Sequence, residues 1–304
     1  MEKCAELMFQ SRKKGNSYML KKFIGRILIV LFTILIILTV GLGFVHNLIL
    51  DKNSVVTNSL LPKDSPKRMM LIFPHPDDEI TVSGEVFREI HEENAKVTMV
   101  VLTEGEAGKT GGVVSKDELG KAREKEGEFA AKTLGVTPVQ ATFPDSKLSE
   151  VNPIELKNYI YQQIKKYKPT TILTYDDVVG YYGHPDHIFA AKIVREVFRE
   201  HKDDSSFSAK RLYMVTLPPK VWDGILKFGK KLQEKYPLRE NQSPPEPTNA
   251  VIVKAYGKQI DKLAKGYKTQ QQAVDALLPG HRQIPYWIYF KVLDREYFYL
   301  AEEN

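Results

Sequence analysis

The sequence predicts an α/β fold, a mainly parallel sheet flanked by helices and preceded by one N-terminal transmembrane helix. Three observations carry this. Short apolar and β-branched runs alternate with stretches of helical period, as in successive βαβ units. One uncharged apolar run, Ile27–Val45, stands behind a basic cluster. A polar segment bearing Pro62 and Pro66 divides the two regions.

Residues 1–26 read as a basic tail, with seven basic groups against two acidic ones, a net of +5. The whole chain of 304 residues carries +6, which leaves the remainder at +1. That balance demands no polyanionic partner, so no nucleic acid is expected. Composition is that of a globular protein, with 42% hydrophobic and 27% charged residues. The run Ile27–Val45 has only Thr33 and Thr39 as polar residues. At about 1.5 Å per residue it approaches the thickness of a bilayer core, and residues 27–50 are assigned as the anchor. Cations concentrate before it, while Asp51 and Lys52 nearly cancel after it. The positive-inside rule then puts the N-terminus in the cytoplasm and the body outside a cell membrane. A cleaved signal peptide is the alternative; the run is long for one, and no small-x-small site follows it. The only cysteine is Cys4. The body therefore has no disulfide or thiolate site, and any metal must use His, Asp or Glu.

Residues 51–67 read as a stalk and 68–304 as one folded domain. Met69–Phe73 is a buried strand, and Ile80–Asn94 a helix with Val82, Val86, Phe87 and Ile90 on one face. Lys96–Leu102 is a strand, and Thr103–Ser115 a glycine-rich loop. Lys116–Leu134 is an amphipathic helix stopped by Gly135. Val139–Phe143 is a strand, Pro153–Tyr167 a helix, Thr170–Tyr175 a strand, Asp186–Glu200 a helix and Arg211–Leu217 a strand. Tyr236–Asn249 is a surface loop, and Gly257–Ala276 returns to helical spacing. Trp287–Leu293 and Glu296–Leu300 alternate like strands and are expected to close the sheet as a hairpin. Together these elements predict a Rossmann-like sheet.

One pattern occurs twice, each time where a strand gives way to a helix: His75-Pro76-Asp77-Asp78 and His184-Pro185-Asp186-His187. Ligands of open parallel sheets bind beyond the carboxyl ends of strands. Proline suits a first helical turn, where its missing N–H has no partner anyway. If the segments meet, they offer enough imidazoles and carboxylates to hold a divalent metal and leave a spare acid/base. A catalytic zinc takes three protein ligands and keeps one position open. It lowers the pKa of bound water towards about 7, and a carboxylate beside it can take the proton. Asp77 and Asp78 can divide those roles.

The two motifs resemble the signatures of the PIG-L/LmbE-like zinc de-N-acetylases. The likeness includes Thr103-Glu104-Gly105-Glu106 and the helix bearing Arg123, Glu126, Ala130 and Leu134-Gly135. It covers roughly Arg68 to Leu217. By resemblance, His75, Asp78 and His187 bind zinc, and Asp77 is the base that later protonates the leaving amine. His184 helps stabilise the oxyanion, Asp186 orients and charges His184, and Arg123 contacts substrate. The resemblance implies removal of an N-acetyl group from an amino sugar of the N-acetylglucosamine type, releasing acetate. With the anchor, it points to a glycolipid or cell-envelope glycoconjugate.

Blander readings stand beside these. Asp77, Asp78 and Glu79 suit a helix start on electrostatic grounds alone. Arg123 fits an ordinary solvated helix face, and Tyr181 and Tyr182 fit packing as well as sugar stacking. Gly108-Lys109-Thr110 lacks the earlier glycine of a phosphate-binding loop, so no nucleotide is expected. Two histidines and a carboxylate also suit Fe(II). A catalytically silent sugar-binding membrane protein is the non-enzymatic alternative.

Overall fold

The computed structural model describes residues 2–228, 230–238 and 242–304; the side chains of residues 2–18, 20, 228 and 230–232 lie outside the description. The thiol of Cys4 and the charges of Lys3, Arg12, Lys13 and Lys14 are among the latter. The chain forms two compact units, Met1–Leu48 and Ile49–Asn304.

The first unit is one helix, α1 (Glu2–Ile49). Its stretch Lys21–Ile49, 29 residues, is long and apolar enough to cross a membrane. Leu28, Phe32 and Leu38 are exposed. Thr33 and Thr39 donate their hydroxyls to the carbonyls of Ile29 and Leu35 at 2.9 and 2.7 Å. That local satisfaction suits a helix in a medium without water.

The second unit contains strands β1 (Val55–Thr57), β2 (Arg68–Phe73), β3 (Lys96–Thr103), β4 (Thr137–Phe143), β5 (Thr171–Tyr175), β6 (Arg211–Val215), β7 (Asn249–Ile252) and β8 (Arg295–Glu303). Its helices are α2 (Ser83–Glu93), α3 (Leu119–Leu134), α4 (Pro153–Tyr167), the short turn α5 (Gly180–Gly183), α6 (Pro185–His201), α7 (Pro219–Phe228), α8 (Lys230–Lys235), α9 (Gly257–Ala264), α10 (Gln271–Leu277) and α11 (Tyr286–Val292). The sheet order is β1-β7-β8-β6-β5-β2-β3-β4. Every pairing is parallel except those of β8 with β6 and β7.

Along β2, Met69, Leu71 and Phe73 enter one core cluster and Met70 and Ile72 the other. Both faces of the sheet are thus covered, which is why the central strands read as continuous apolar runs. From β2 the chain winds outward through β3 to β4. It then crosses back to lay β5 against the other edge of β2. This reversal between β2 and β5 is where such a sheet opens a crevice.

The predicted α/β architecture holds, with three local differences. Trp287–Leu293 belongs to a helix, not a hairpin strand. β8 already has β6 and β7 on its two sides, so no sheet edge is left there. The helix buries Tyr289 and Phe290 instead. The run Gly257–Ala276 breaks into α9 and α10, because the Glu126 carboxylate captures the backbone N–H and hydroxyl of Thr269 at 2.7 Å each. Residues 51–67, expected as a stalk, contribute β1 to the sheet and fully bury Leu60.

Candidate metal centre

The two His-Pro-Asp segments leave β2 and β5 on the two sides of the crevice. After β2, Asp77 adopts φ 100°, ψ −20°, a left-handed conformation that is strained for a residue with a side chain. Arg123 of α3 holds this turn. Its Nη2 donates to Asp77 Oδ2 at 3.0 Å and also to the Pro76 carbonyl, while Nη1 donates to the Gly105 carbonyl at 2.9 Å. Gly105 has φ +70°, and a Cβ there would lie 2.0 Å from Arg123 Nη1, so only glycine lets the guanidinium in. Glu79 accepts the Asp77 N–H at 3.1 Å and a hydrogen bond from Tyr267.

After β5, the Asp176 carboxylate accepts the backbone N–H groups of Val178, Val179 and Tyr181 at 3.0, 2.6 and 2.9 Å. The tight loop it builds aims the Gly180 carbonyl at His187 Nδ1, 2.9 Å away. A Cβ on Gly180 would approach His187 Cβ to 2.7 Å, so this close passage also requires glycine. His184 is the N-cap of α6, its Nδ1 accepting the Asp186 backbone N–H at 3.2 Å, with Pro185 beginning the helix.

These turns bring two imidazole nitrogens and both oxygens of one carboxylate together. His75 Nδ1 lies 3.2 Å from His187 Nε2 and 3.4 Å from Asp78 Oδ2; His187 Nε2 lies 3.3 Å from Asp78 Oδ1. Zinc–ligand bonds of about 2.0–2.1 Å at tetrahedral angles place ligand atoms about 3.3 Å apart, so the triangle fits that ion. The partners of the opposite ring nitrogens suit one neutral tautomer of each ring once a cation replaces the inner proton. His187 Nδ1–H is taken by Gly180, and His75 Nε2–H faces Asp145 Oδ1 at 3.2 Å and Asp186 Oδ2 at 3.3 Å. Both free lone pairs therefore point into the triangle. Tyr175 donates to Asp78 Oδ1 at 3.1 Å and stacks on the His187 ring at 4.2 Å.

Electrostatics agree. Burial opposes protonation of His75, but Asp145, Asp186 and Asp78 outweigh it and hold its pKa well above that of a free imidazole. Burial would raise Asp78, yet His187 and His75 keep it well below the usual carboxylate range. The cluster therefore attracts one more positive charge. Burial pushes Asp77 up to about 8 against the pull of Arg123. His184 falls to about 2, through burial first and then the neighbouring His187 and His75. It is a neutral imidazole whose Nδ1 accepts, so its proton sits on Nε2.

His75, Asp77, Arg123 and His184 line one cleft of about 490 Å³, with Tyr182, Lys235, Tyr236 and Gln270 at its walls. The glycine-rich loop also reaches it through Gly108 and Lys109.

All seven residues singled out in the sequence converge here, two of them differently from expectation. The Asp186 carboxylate lies within 4.8 Å of a His184 ring nitrogen, but its contacts are with His75 at 3.3 Å and the Leu148 N–H at 3.2 Å, and it is the Asp186 backbone N–H that His184 accepts. Arg123 is buried and its first partner is Asp77, although it also lines the cleft. Asp145 went unnoticed in the sequence. It follows β4 at the same sheet edge, and burial notwithstanding, its contacts with His75 and the Ala107 N–H hold it at about 2. A carboxylate just past a third parallel strand was the available signal.

Residues 70–198 match the protein family described as PIG-L, GlcNAc-PI de-N-acetylase. The chain is 34% identical over 127 residues to the diacetylchitobiose deacetylase of Thermococcus kodakarensis, covering 41% of this chain and 47% of that one. It is 30% identical over 183 residues to the 1D-myo-inositol 2-acetamido-2-deoxy-alpha-D-glucopyranoside deacetylase of Thermobifida fusca, covering 51% and 64%. The matches thus span about half to two thirds of these relatives. In solved structures, GalB, the 4-carboxy-2-hydroxymuconate hydratase of Pseudomonas putida KT2440, superposes with a TM-score of 0.53 at 13% identity, over 78% of this chain and 97% of that one. That likeness concerns the fold alone. Residues 70–198 are therefore similar to the PIG-L de-N-acetylase family.

Proposed function

We propose that this chain is a metal-dependent hydrolase that removes the N-acetyl group from an N-acetylated amino sugar of the GlcNAc type and releases acetate. The observation that carries the reading is the triangle of His75, Asp78 and His187 in one crevice with Asp77, a carboxylate outside the triangle. Relatives named as deacetylases of diacetylchitobiose and of an acetamido-deoxyglucopyranoside support it.

His75, Asp78 and His187 would hold the zinc, which when bound would supply Lewis acidity, lower the pKa of a nearby water towards about 7 and polarise an amide carbonyl. Asp77, ionised beside a bound cation, would receive the proton of the attacking water. Arg123 occupies Oδ2, which leaves Oδ1 for that proton, and the same carboxyl then delivers it to the leaving amine. His184 presents Nε2–H as a neutral donor to the developing oxyanion, its tautomer set by the Asp186 backbone. Asp145 and Asp186 fix the His75 ring and strengthen it as a ligand. Tyr182 and Tyr236 form a wall suited to a sugar face.

The acid test is acetate release from GlcNAc conjugates, free and lipid-linked, with and without chelator. Sugar binding with no acetate released from any substrate, metal present, favours a silent binding protein. Two histidines and a carboxylate also accommodate Fe(II), and metal analysis after anaerobic purification identifies the ion. Residues 27–50 serve as a membrane anchor in this reading, with the N-terminus cytoplasmic, the hydrolase domain outside, and a glycolipid or envelope glycoconjugate as substrate. A reporter fused after Asn304 that is active only in the cytoplasm overturns this topology.

A further inference from the structure

The body outside the N-terminal tail and span has little net charge, yet its lysines are not evenly spread. Helix α9 turns Gly257, Ile260, Leu263 and Ala264 inward. Its opposite face carries Lys258 and Lys262, continued by Lys265 and Lys268, all exposed, and Asp261 pairs with Lys265 at 2.6 Å. A groove of about 810 Å³ runs along these lysines and is floored by Phe129 and Tyr286. Tyr286 belongs to a segment, residues 282–287, that is exposed throughout and includes Ile284 at 41% and Trp287 at 59%. Large apolar side chains exposed beside a row of cations are costly in water and need a partner that takes both.

We propose that this face docks onto a membrane surface containing anionic phospholipid. The lysines match lipid phosphates, and tryptophan and tyrosine favour the headgroup level, where an apolar ring and a polar edge are both accommodated. A polynucleotide would use the lysines but leaves Ile284 without a role. The groove also adjoins the metal cleft: Lys268 lines the groove, while Thr269 and Gln270 line the cleft. Docking would therefore hold the segment Lys268–Gln270, and with it one wall of the cleft, near the lipid surface where a lipid-linked sugar would present itself. The inference rests on the reading that Lys21–Ile49 enters a membrane, and its test separates the two.

The chain has two tryptophans, Trp222, which is buried, and Trp287; the apolar helix contains none. Fluorescence thus reports the face rather than the anchor. Full-length protein is combined with phosphatidylcholine vesicles, with or without phosphatidylglycerol, carrying brominated acyl chains, and flotation reads the anchor. The expected result is quenching that requires phosphatidylglycerol, weakens with salt and is absent in Trp287→Phe. Lys258→Gln/Lys262→Gln/Lys265→Gln should shift the docked population by roughly fivefold per lysine. No quenching in anionic vesicles overturns the proposal, whether or not the chain floats. Quenching indifferent to phosphatidylglycerol, or a larger response to a single-stranded oligonucleotide, does the same. Acetate release from a water-soluble substrate should be unchanged in the lysine variant; its absence in the wild type counts against the proposed function and not against docking.

Discussion

The two His-Pro-Asp segments are alike in sequence and opposite in structure. After β5, the segment opens a regular helix, with His184 as cap, Pro185 and Asp186 in the first turn, and His187 reaching the triangle from within the helix. After β2, the segment does not enter a helix directly. It turns through left-handed Asp77 into a short 3₁₀ turn, and His75, ahead of that turn, is the residue that reaches His187. The two segments therefore present different atoms to the cluster: Nδ1 of the leading histidine, His75, in one, and Nε2 of the fourth residue, His187, in the other. The aspartates diverge with them. Asp77 faces the cleft under Arg123, whereas Asp186 lies behind His75. A shared motif thus fixes residue types, while the local backbone decides their duties.

The sharpest way to break this comparison is to make one change in both segments. Asp77→Asn should lower kcat by about 10²- to 10⁴-fold while the metal stays bound, read by acetate release and metal content. Substantial residual turnover would remove Asp77 as the base. Asp186→Asn, at the matching position, should instead weaken metal binding by about 10- to 100-fold and let added metal restore activity. Asp145→Asn should behave as Asp186→Asn does, although it belongs to neither motif; an unchanged metal affinity in both variants sinks the assignment of these carboxylates to His75. Arg123→Lys keeps a charge but cannot span Asp77, Pro76 and Gly105 together. It should cut kcat by about tenfold or more with metal content intact.

The smallest expected effect lies away from the site and serves as a contrast. Glu85 is fully buried with neither carboxylate oxygen hydrogen-bonded, and burial, then Glu89 and Glu296, hold its pKa well above the normal value. A raised carboxyl pKa favours the folded state below the unfolded pKa of about 4.3, and that contribution is lost as pH rises towards the folded value. Glu85→Gln should flatten this slope and raise stability above neutrality, seen in thermal unfolding at acidic and alkaline pH. Equal Tm differences at both pH values would show that Glu85 is ionised in the fold. The buried carboxylates at the metal centre have imidazole or guanidinium partners, whereas this one does not.

The alternation of strands and helices, the apolar run of α1 and the seven site residues were all legible from the chain, because each depends on local pattern and on a strand-to-helix junction. The helix Tyr286–Val292 was not, since its aromatic residues favour a strand until the sheet edge is known to be occupied. The segment 51–67 misled for a related reason: its polar, proline-bearing sequence resembles a linker, and only pairing with β7 makes Val55–Thr57 a strand.

The sequence by itself determined which chemical groups are available and at which strand ends they stand. It could not determine which nitrogen of each histidine faces inward, that Asp186 serves His75 rather than His184, or that Asp145 completes the support. Those depend on distances between residues up to 112 positions apart. They are set by the crossover that lays β5 beside β2 and by two glycines that let chains approach closely. Tertiary packing decided them because a lone pair's direction follows from hydrogen bonds on the far side of each ring.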